Sequence, residues 1–312
     1  EIHVPIQEDE TALILWAIWQ YYDLYRKIEV IRPLYHSFIE KAADFLVSYR
    51  DEQTGLPLPS YDLWEERRGI LSFTTAAVYG GLIAAANLSD IFYHTEKAKL
   101  YRQTAAQIKE AIDKHLYSEK HKRFLRMIYP KKEGGYEIDA TIDASLYGMF
   151  AFGVYDSNDI KVRNTMKAIE ETLWVKTKIG GIARYEHDMY QRAGEDDKIP
   201  GNPWIICTMW LAQYYASIAK SVEDLEHVVN YLRWAVSHAL PSGVLAEQIN
   251  PLTGEPVSVS PLTWSHAAVV QTVMDYLEKL QELHTCGQCG RSIFRYDRAG
   301  RQQVRKHSPT HS

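Results

Sequence analysis

The chain has 312 residues, 46% of them hydrophobic and 24% charged, with a net charge of −5. That length suits one large core or two modest ones. The charge balance leaves no electrostatic footprint for nucleic acid or an anionic membrane, no apolar run reaches the roughly 18 residues that a span requires, and three cysteines are too few for a disulfide framework. The chain does not open on a basic stretch followed by an apolar one, so no signal peptide and a cytoplasmic location are expected.

Taken in order, the sequence predicts helices of two alternating kinds. Residues 8–29 start with acids, which suit the positive end of a helix dipole, and continue apolar nearly all round, as a buried helix does. Residues 31–50 place Leu34, Phe38, Ala42, Phe45, Leu46 and Tyr49 at helical spacing among charges, the pattern of an outer, amphipathic helix. Residues 72–88 are small and almost uncharged, hence inner, and 90–117 are long and charged, hence outer. Residues 121–138 are basic and contain glycine, reading as a loop or hairpin. Residues 140–152 are inner and 158–174 outer, 204–219 inner behind Pro203, 223–239 outer, and 262–283 inner. Five inner and four outer helices alternate at about 60 residues per step, too long for a simple solenoid unit. The expected fold is all-α, an (α/α)6 barrel with about nine of its twelve helices, and its long loops gather at the N-terminal ends of the inner helices.

Those loops carry the polar and aromatic clusters. Between Gly55 and Gly69 stand Tyr61, Trp64, Glu65 and Glu66, with Pro57 and Pro59 preventing a regular helix. An ordinary polar loop would have similar composition. Paired carboxylates beside an indole, however, suit carbohydrate: the indole packs on the apolar face of a sugar ring, and a carboxyl beside it can be held protonated. Further loops contribute Asp139 and Asp143, then Arg184 to Tyr190, then Gly201-Asn-Pro-Trp204, then Leu245-Ala-Glu-Gln248. Glycoside hydrolysis takes one carboxyl to protonate the leaving oxygen and another to activate water. Glu247, an isolated acid in an apolar loop, is the base candidate. There is no Gly-rich phosphate loop, Ser nucleophile elbow or His-Glu-x-x-His.

Three long motifs occur together: Ser60-Tyr-Asp-Leu-Trp-Glu-Glu66; Gly181-Ile-Ala-Arg-Tyr-Glu-His-Asp-Met-Tyr190 with Gly201-Asn-Pro-Trp204; and Ala246-Glu-Gln248 with Thr253-Gly-Glu-Pro256 and Leu262-Thr-Trp-Ser265. Their order resembles glycoside hydrolase family 15 in its prokaryotic glucoamylase branch, from about Pro5 to about Leu283. The resemblance implies Glu65 as general acid and Glu247 as general base. It implies sugar-binding roles for Glu66 and Arg184, aromatic lining by Tyr61, Trp64 and Trp204, and Asp188 holding Arg184. It further implies an α-glucan or maltooligosaccharide substrate cleaved from non-reducing ends with inversion, and no cofactor. Trehalase and glucodextranase share the fold and the carboxylate pair, and a non-catalytic glucan-binding barrel is the reading from another class. The family's early Arg-Asp pair, which grips the terminal glucose, has no matching stretch here, so the chain is expected to lack an N-terminal portion. A basic tail, residues 285–312, carries Cys286-x-x-Cys289 and His307-x-x-x-His311. It is expected to be disordered, with a zinc knuckle through Cys286 and Cys289 as the alternative.

Overall fold

The computed structural model describes residues 6–194 and 198–285. Cys286, Cys289 and the basic tail lie outside the described residues. Helix α1 (Glu8–Tyr25) is followed by a second helical stretch that starts as α2 (Ile28–Ile31), tightens and then widens through Arg32–Leu34 and Tyr35–Ile39, and ends as α3 (Glu40–Ser48). Strands β1 (Ser60–Tyr61) and β2 (Arg68–Leu71) flank a tight turn and lead straight into α4 (Ser72–Ile91), with α5 (Thr95–His115) returning beside it. Short strands β3 (Tyr117–Ser118), β4 (Arg123–Phe124), β5 (Met127–Pro130) and β6 (Tyr136–Asp139) come next. A 3-10 turn, Ala144–Tyr147, then runs into α6 (Gly148–Ala151), and α7 (Ile160–Leu173) follows. Strands β7 (Ile182–Ala183) and β8 (Pro203–Trp204) precede α8 (Ile205–Ile218), then α9 (Glu226–Ser237). Strands β9 (Gln248–Ile249) and β10 (Pro256–Val257) precede α10 (Thr263–Leu283).

The alternation of inner and outer helices is the one the sequence predicts, and the arrangement is of the α/α toroid type. Outer helices bury one stripe: in α5 this is Ala98, Tyr101, Ala105, Ile108 and Ile112, spaced by three or four residues, with Lys and Glu on the other side. Inner α4 and α8 are buried on almost every side. Small residues let α4 approach α1 closely. A Cβ on Gly81 would stand 2.8 Å from the Ala12 carbonyl oxygen, inside contact distance, so the crossing tolerates no side chain there.

Three expectations change. The all-round apolar α1 is not enclosed: only Glu8, Asp9, Ala12 and Leu15 are buried, while Ile14 is 49% exposed. The same holds for α10, where Val270 is 61% exposed. These two helices form the flanks of the described layer, each packed along one inner neighbour, α4 or α8. Their apolar periphery reflects the pattern of an inner helix without inner-helix surroundings on both sides. The third change is at residues 140–152, which make a 3-10 turn and one α-turn rather than a full helix. Asp143 caps this turn by accepting the Ser145 N–H at 2.9 Å, and Gly153, at φ 76°, ends it.

The loops preceding the inner helices also hold sheet structure. One four-stranded sheet has the order β1-β2-β5-β6 and the other β10-β9-β8-β7, with each pair antiparallel. The β5–β6 pair is the hairpin expected near residues 121–138. The remaining strands are mostly two residues long, too short for an alternating pattern to register.

Candidate active site

The Tyr61–Arg68 turn is closed by Asp62. Its backbone N–H donates to the Arg67 carbonyl at 2.8 Å, and its Oδ1 accepts the N–H of Glu66 at 2.7 Å and of Arg67 at 3.0 Å. Such an Asx-type closure forces the apex into an unusual backbone. Glu65 takes it, with φ 58°, a left-handed value rarely adopted by a side-chain-bearing residue, and its side chain is exposed. The start of α1 is tied to the same turn, since Tyr61 N–H donates to the Ile6 carbonyl at 3.2 Å and Gln7 Nε2 to the Asp62 carbonyl at 3.2 Å. Glu8, Asp9 and Asp62 are each at most 2% exposed, and each has one buried carboxylate oxygen without a hydrogen-bond partner among the described residues. Burial, with the neighbouring acids, pushes the Glu8 carboxyl up to about 9 and the Asp9 carboxyl up to about 7.

The two glutamates of the turn differ sharply. Glu66 is engaged: Arg184 Nη2 donates to its Oε1 at 2.5 Å, and its Oε2 accepts from the Tyr185 hydroxyl at 2.6 Å and Arg67 Nη1 at 2.8 Å. Burial alone would raise its pKa, but the Tyr185 hydrogen bond and the Arg184 charge outweigh that and hold it below the usual carboxylate value. The same partnership, added to burial, raises the Tyr185 hydroxyl to about 12. The Glu65 carboxylate receives no hydrogen bond among the described residues, and it stands free at the apex.

Arg184 follows β7 and is 3% exposed. Asp188 grips it bidentately, accepting from Nε at 2.9 Å and from Nη2 at 2.8 Å. Its guanidinium lies over four rings, 4.7 Å from Tyr185, 5.0 Å from Trp204, 5.1 Å from Tyr190 and 5.2 Å from Trp64. Although burial works against the cation, the hydrogen bond and charge of Asp188 hold Arg184 more firmly protonated than usual.

The β8 pairing brings the second loop to the first. Trp204 pairs with Ile182 on one side and Gln248 on the other, and its ring is 5.6 Å from Trp64. Trp64 also lies 5.9 Å from Trp210 and 6.1 Å from Trp264. Trp64 and Trp204 are only 8% and 3% exposed, so these indoles lie beneath the surface, while Trp264 and Tyr190 are 40% and 42% exposed. Glu247 immediately precedes β9. Its Oε2 accepts from the Ser258 hydroxyl at 2.6 Å and from Gln248 Nε2 at 3.0 Å. Gln248 is in turn held by Asn202, whose Nδ2 donates to Gln248 Oε1 at 2.8 Å.

The acidic, basic and aromatic residues singled out in the loops are therefore placed, while Cys286 and Cys289 lie outside the described residues. Tyr61, Trp64, Glu65 and Glu66 share one turn; Arg184, held by Asp188, and Trp204 meet that turn at Glu66 and Trp64; Glu247 precedes the strand whose Gln248 pairs with Trp204. The sequence names Asp143 only as a member of a polar loop cluster and Asp62 only as part of a quoted motif, and neither they nor Tyr185 and Ser258 receive a specific role from it. Tyr185, Tyr190 and Trp264 fall inside the quoted motifs, which was the only signal for them. Among the described residues, no group of three or more His, Cys, Asp or Glu could hold a metal ion, and no helix is long and apolar enough to cross a membrane. An open groove of about 440 Å³ lined by Glu170, Glu171, Trp174, Lys176 and Tyr231 shares no residue with this arrangement.

The profile of glycosyl hydrolases family 15 matches residues 4–230 and 215–274. The chain belongs to glycoside hydrolase family 15. It is 34% identical over 272 residues to an uncharacterized glycosyl hydrolase of Methanocaldococcus jannaschii, covering 84% of this chain and 40% of that protein. It is 27% identical over 263 residues to a glucoamylase of Clostridium sp., covering 76% and 35% respectively. It is 25% identical over 234 residues to a trehalase of Mycobacterium tuberculosis, covering 73% and 31%. The chain thus spans less than half the length of these relatives. A bacterial glucoamylase solved with acarbose superimposes with a TM-score of 0.72 at 24% identity, covering 88% of this chain and 41% of that one. The likeness supports the α/α toroid of the family.

Proposed function

We propose that this family 15 glycosidase hydrolyses terminal α-linked glucose from non-reducing ends of starch-like oligosaccharides with inversion. Glu65 gives its proton to the glycosidic oxygen as the bond to the anomeric carbon breaks. Glu247 takes a proton from the water that attacks the opposite face of that carbon, and proton exchange with solvent resets both groups. The observation that carries this reading is the contrast within the turn. Glu66 is committed to Arg184, Tyr185 and Arg67, which leaves Glu65 as the carboxyl available to a substrate oxygen. Glu247 is oriented by two neutral donors, Ser258 and Gln248, which fix a carboxylate without neutralising it. The Arg184–Glu66 pair and the exposed rings of Tyr190 and Trp264 offer hydrogen bonds and stacking to a sugar, and Tyr61 stands at the base of the same turn. The relationship to a mycobacterial trehalase supports an α,α-linked disaccharide as the second reading.

The test is turnover of maltooligosaccharides, isomaltose and trehalose, with the anomer of the first-formed glucose read by proton NMR. β-Glucose from a maltooligosaccharide is expected. Glu65→Gln and Glu247→Gln should each lower kcat by about 10²–10⁴-fold while the circular dichroism stays unchanged. Full activity in either variant would refute the assignment.

A further inference from the structure

We infer that Asp143 is a positioning residue for the catalytic turn, acting through the indole of Trp64. The inference rests on the reading of Glu65 as the acid. Asp143 is 1% exposed and lies 79 positions from Trp64 in the chain, yet both its carboxylate oxygens are 3.2 Å from Trp64 Nε1. Oδ1 also accepts the Ser145 N–H at 2.9 Å, and Arg126 Nη1 stands 3.9 Å from Oδ2. Among the described residues this long contact is the only ion pair to Asp143, and Arg126 is directed mainly to Asp139. Burial accordingly raises the carboxyl's pKa, against the pull of Ser145, Arg126 and Trp64.

An indole N–H needs only a neutral acceptor, such as a carbonyl, to be satisfied. Burying a carboxylate for that purpose costs more than a carbonyl would, and what it adds is a charge-assisted bond that fixes the ring. The ring is the residue before Glu65, and its face carries Arg184, which binds Glu66. The Asp143 backbone holds the opposite wall as well: it bridges to Tyr185, and the next residue's N–H donates to the Arg184 carbonyl at 2.9 Å. Asp143 is thus the point where the 3-10 turn, the Trp64 ring and the Arg184 segment are registered against one another.

The experiment compares Asp143→Asn and Asp143→Ala in the full chain, alone and combined with Trp64→Phe, which keeps a ring but has no N–H. Misplacing a catalytic group by about 1 Å costs as much as 10²-fold. We expect kcat to fall about tenfold in Asp143→Asn and about a hundredfold in Asp143→Ala, with KM changing less than twofold. In the Trp64→Phe background, Asp143→Asn should cost less than twofold, because its target is already gone. An equal loss in both backgrounds, or a lowered melting temperature with unchanged kcat, would overturn the inference. The Trp64 indole N–H resonance, read without substrate, separates this from failure of the glycosidase reading. It should exchange faster with solvent in Asp143→Ala whether or not any glucoside is hydrolysed. An unchanged resonance would overturn the inference by itself.

Discussion

The turn bearing Glu65 and Glu66 and the loop bearing Glu247 both lead into inner helices, but they are held by opposite means. On the Glu66 side the lock is ionic and buried: Arg184 sits between Asp188 and Glu66 inside a cage of four rings. On the Glu247 side it is neutral, a serine hydroxyl and a carboxamide that is itself fixed by Asn202. An ionic lock gives rigidity at the risk of stranding a charge if one partner is lost. A neutral lock gives less rigidity, and losing one donor leaves a carboxylate that water can still reach.

Three substitutions sharpen this contrast, in descending order of effect. Arg184→Met should be the most damaging, because it leaves Asp188, 1% exposed, as an uncompensated buried charge. We expect a loss of about 3–5 kcal/mol in a denaturant titration. Tyr185→Phe removes one charge-assisted bond to Glu66 and should cost about 1.5–3 kcal/mol near neutral pH. The pH dependence of that loss has a definite sign. Glu66 has a folded-state pKa below its unfolded one, so its stabilisation is present above the ordinary carboxylate value and disappears as pH falls through the lowered value. The gap between melting curves of wild type and Tyr185→Phe should therefore narrow in acid; a constant gap would mean that Tyr185 acts only by packing and through the hydrogen bond its hydroxyl accepts from Arg184 Nη2 at 3.1 Å. Ser258→Ala should be mildest, about 1 kcal/mol, seen as a drop in kcat of about fivefold with little change in melting temperature. A loss as large as that of Arg184→Met would erase the distinction between the two locks.

Much of this was readable from the sequence. The alternation of charged and apolar helices placed the layers, and the Trp64-Glu65-Glu66 and Glu247 motifs placed the carboxylates. The hidden parts depend on distant closure. Asp62, Asp143 and Ser258 are single polar loop residues, and nothing local marks Asp143 as the partner of a ring 79 positions away. Two-residue strands such as β7, β8 and β9 have no period to detect, yet their pairing registers Arg184, Trp204 and Gln248. Apolar composition marked α1 and α10 as buried inner helices, but their flanks are exposed, because exposure is set by neighbours and not by the helix's own pattern.

Under the proposed role of Glu65 as the acid, its backbone sets stability against activity at a single residue. Its left-handed conformation, at φ 58°, costs on the order of 1–3 kcal/mol in a residue with a side chain; glycine adopts it without steric strain but loses more backbone entropy on folding, about 0.5–1 kcal/mol. Glu65→Gly should therefore raise the melting temperature slightly while eliminating turnover, and a melting temperature lowered by more than glycine's entropic cost would show that the turn carries no such strain. On that assignment, a glutamate at this position trades robustness for chemistry, and glycine would be the choice if heat resistance alone mattered.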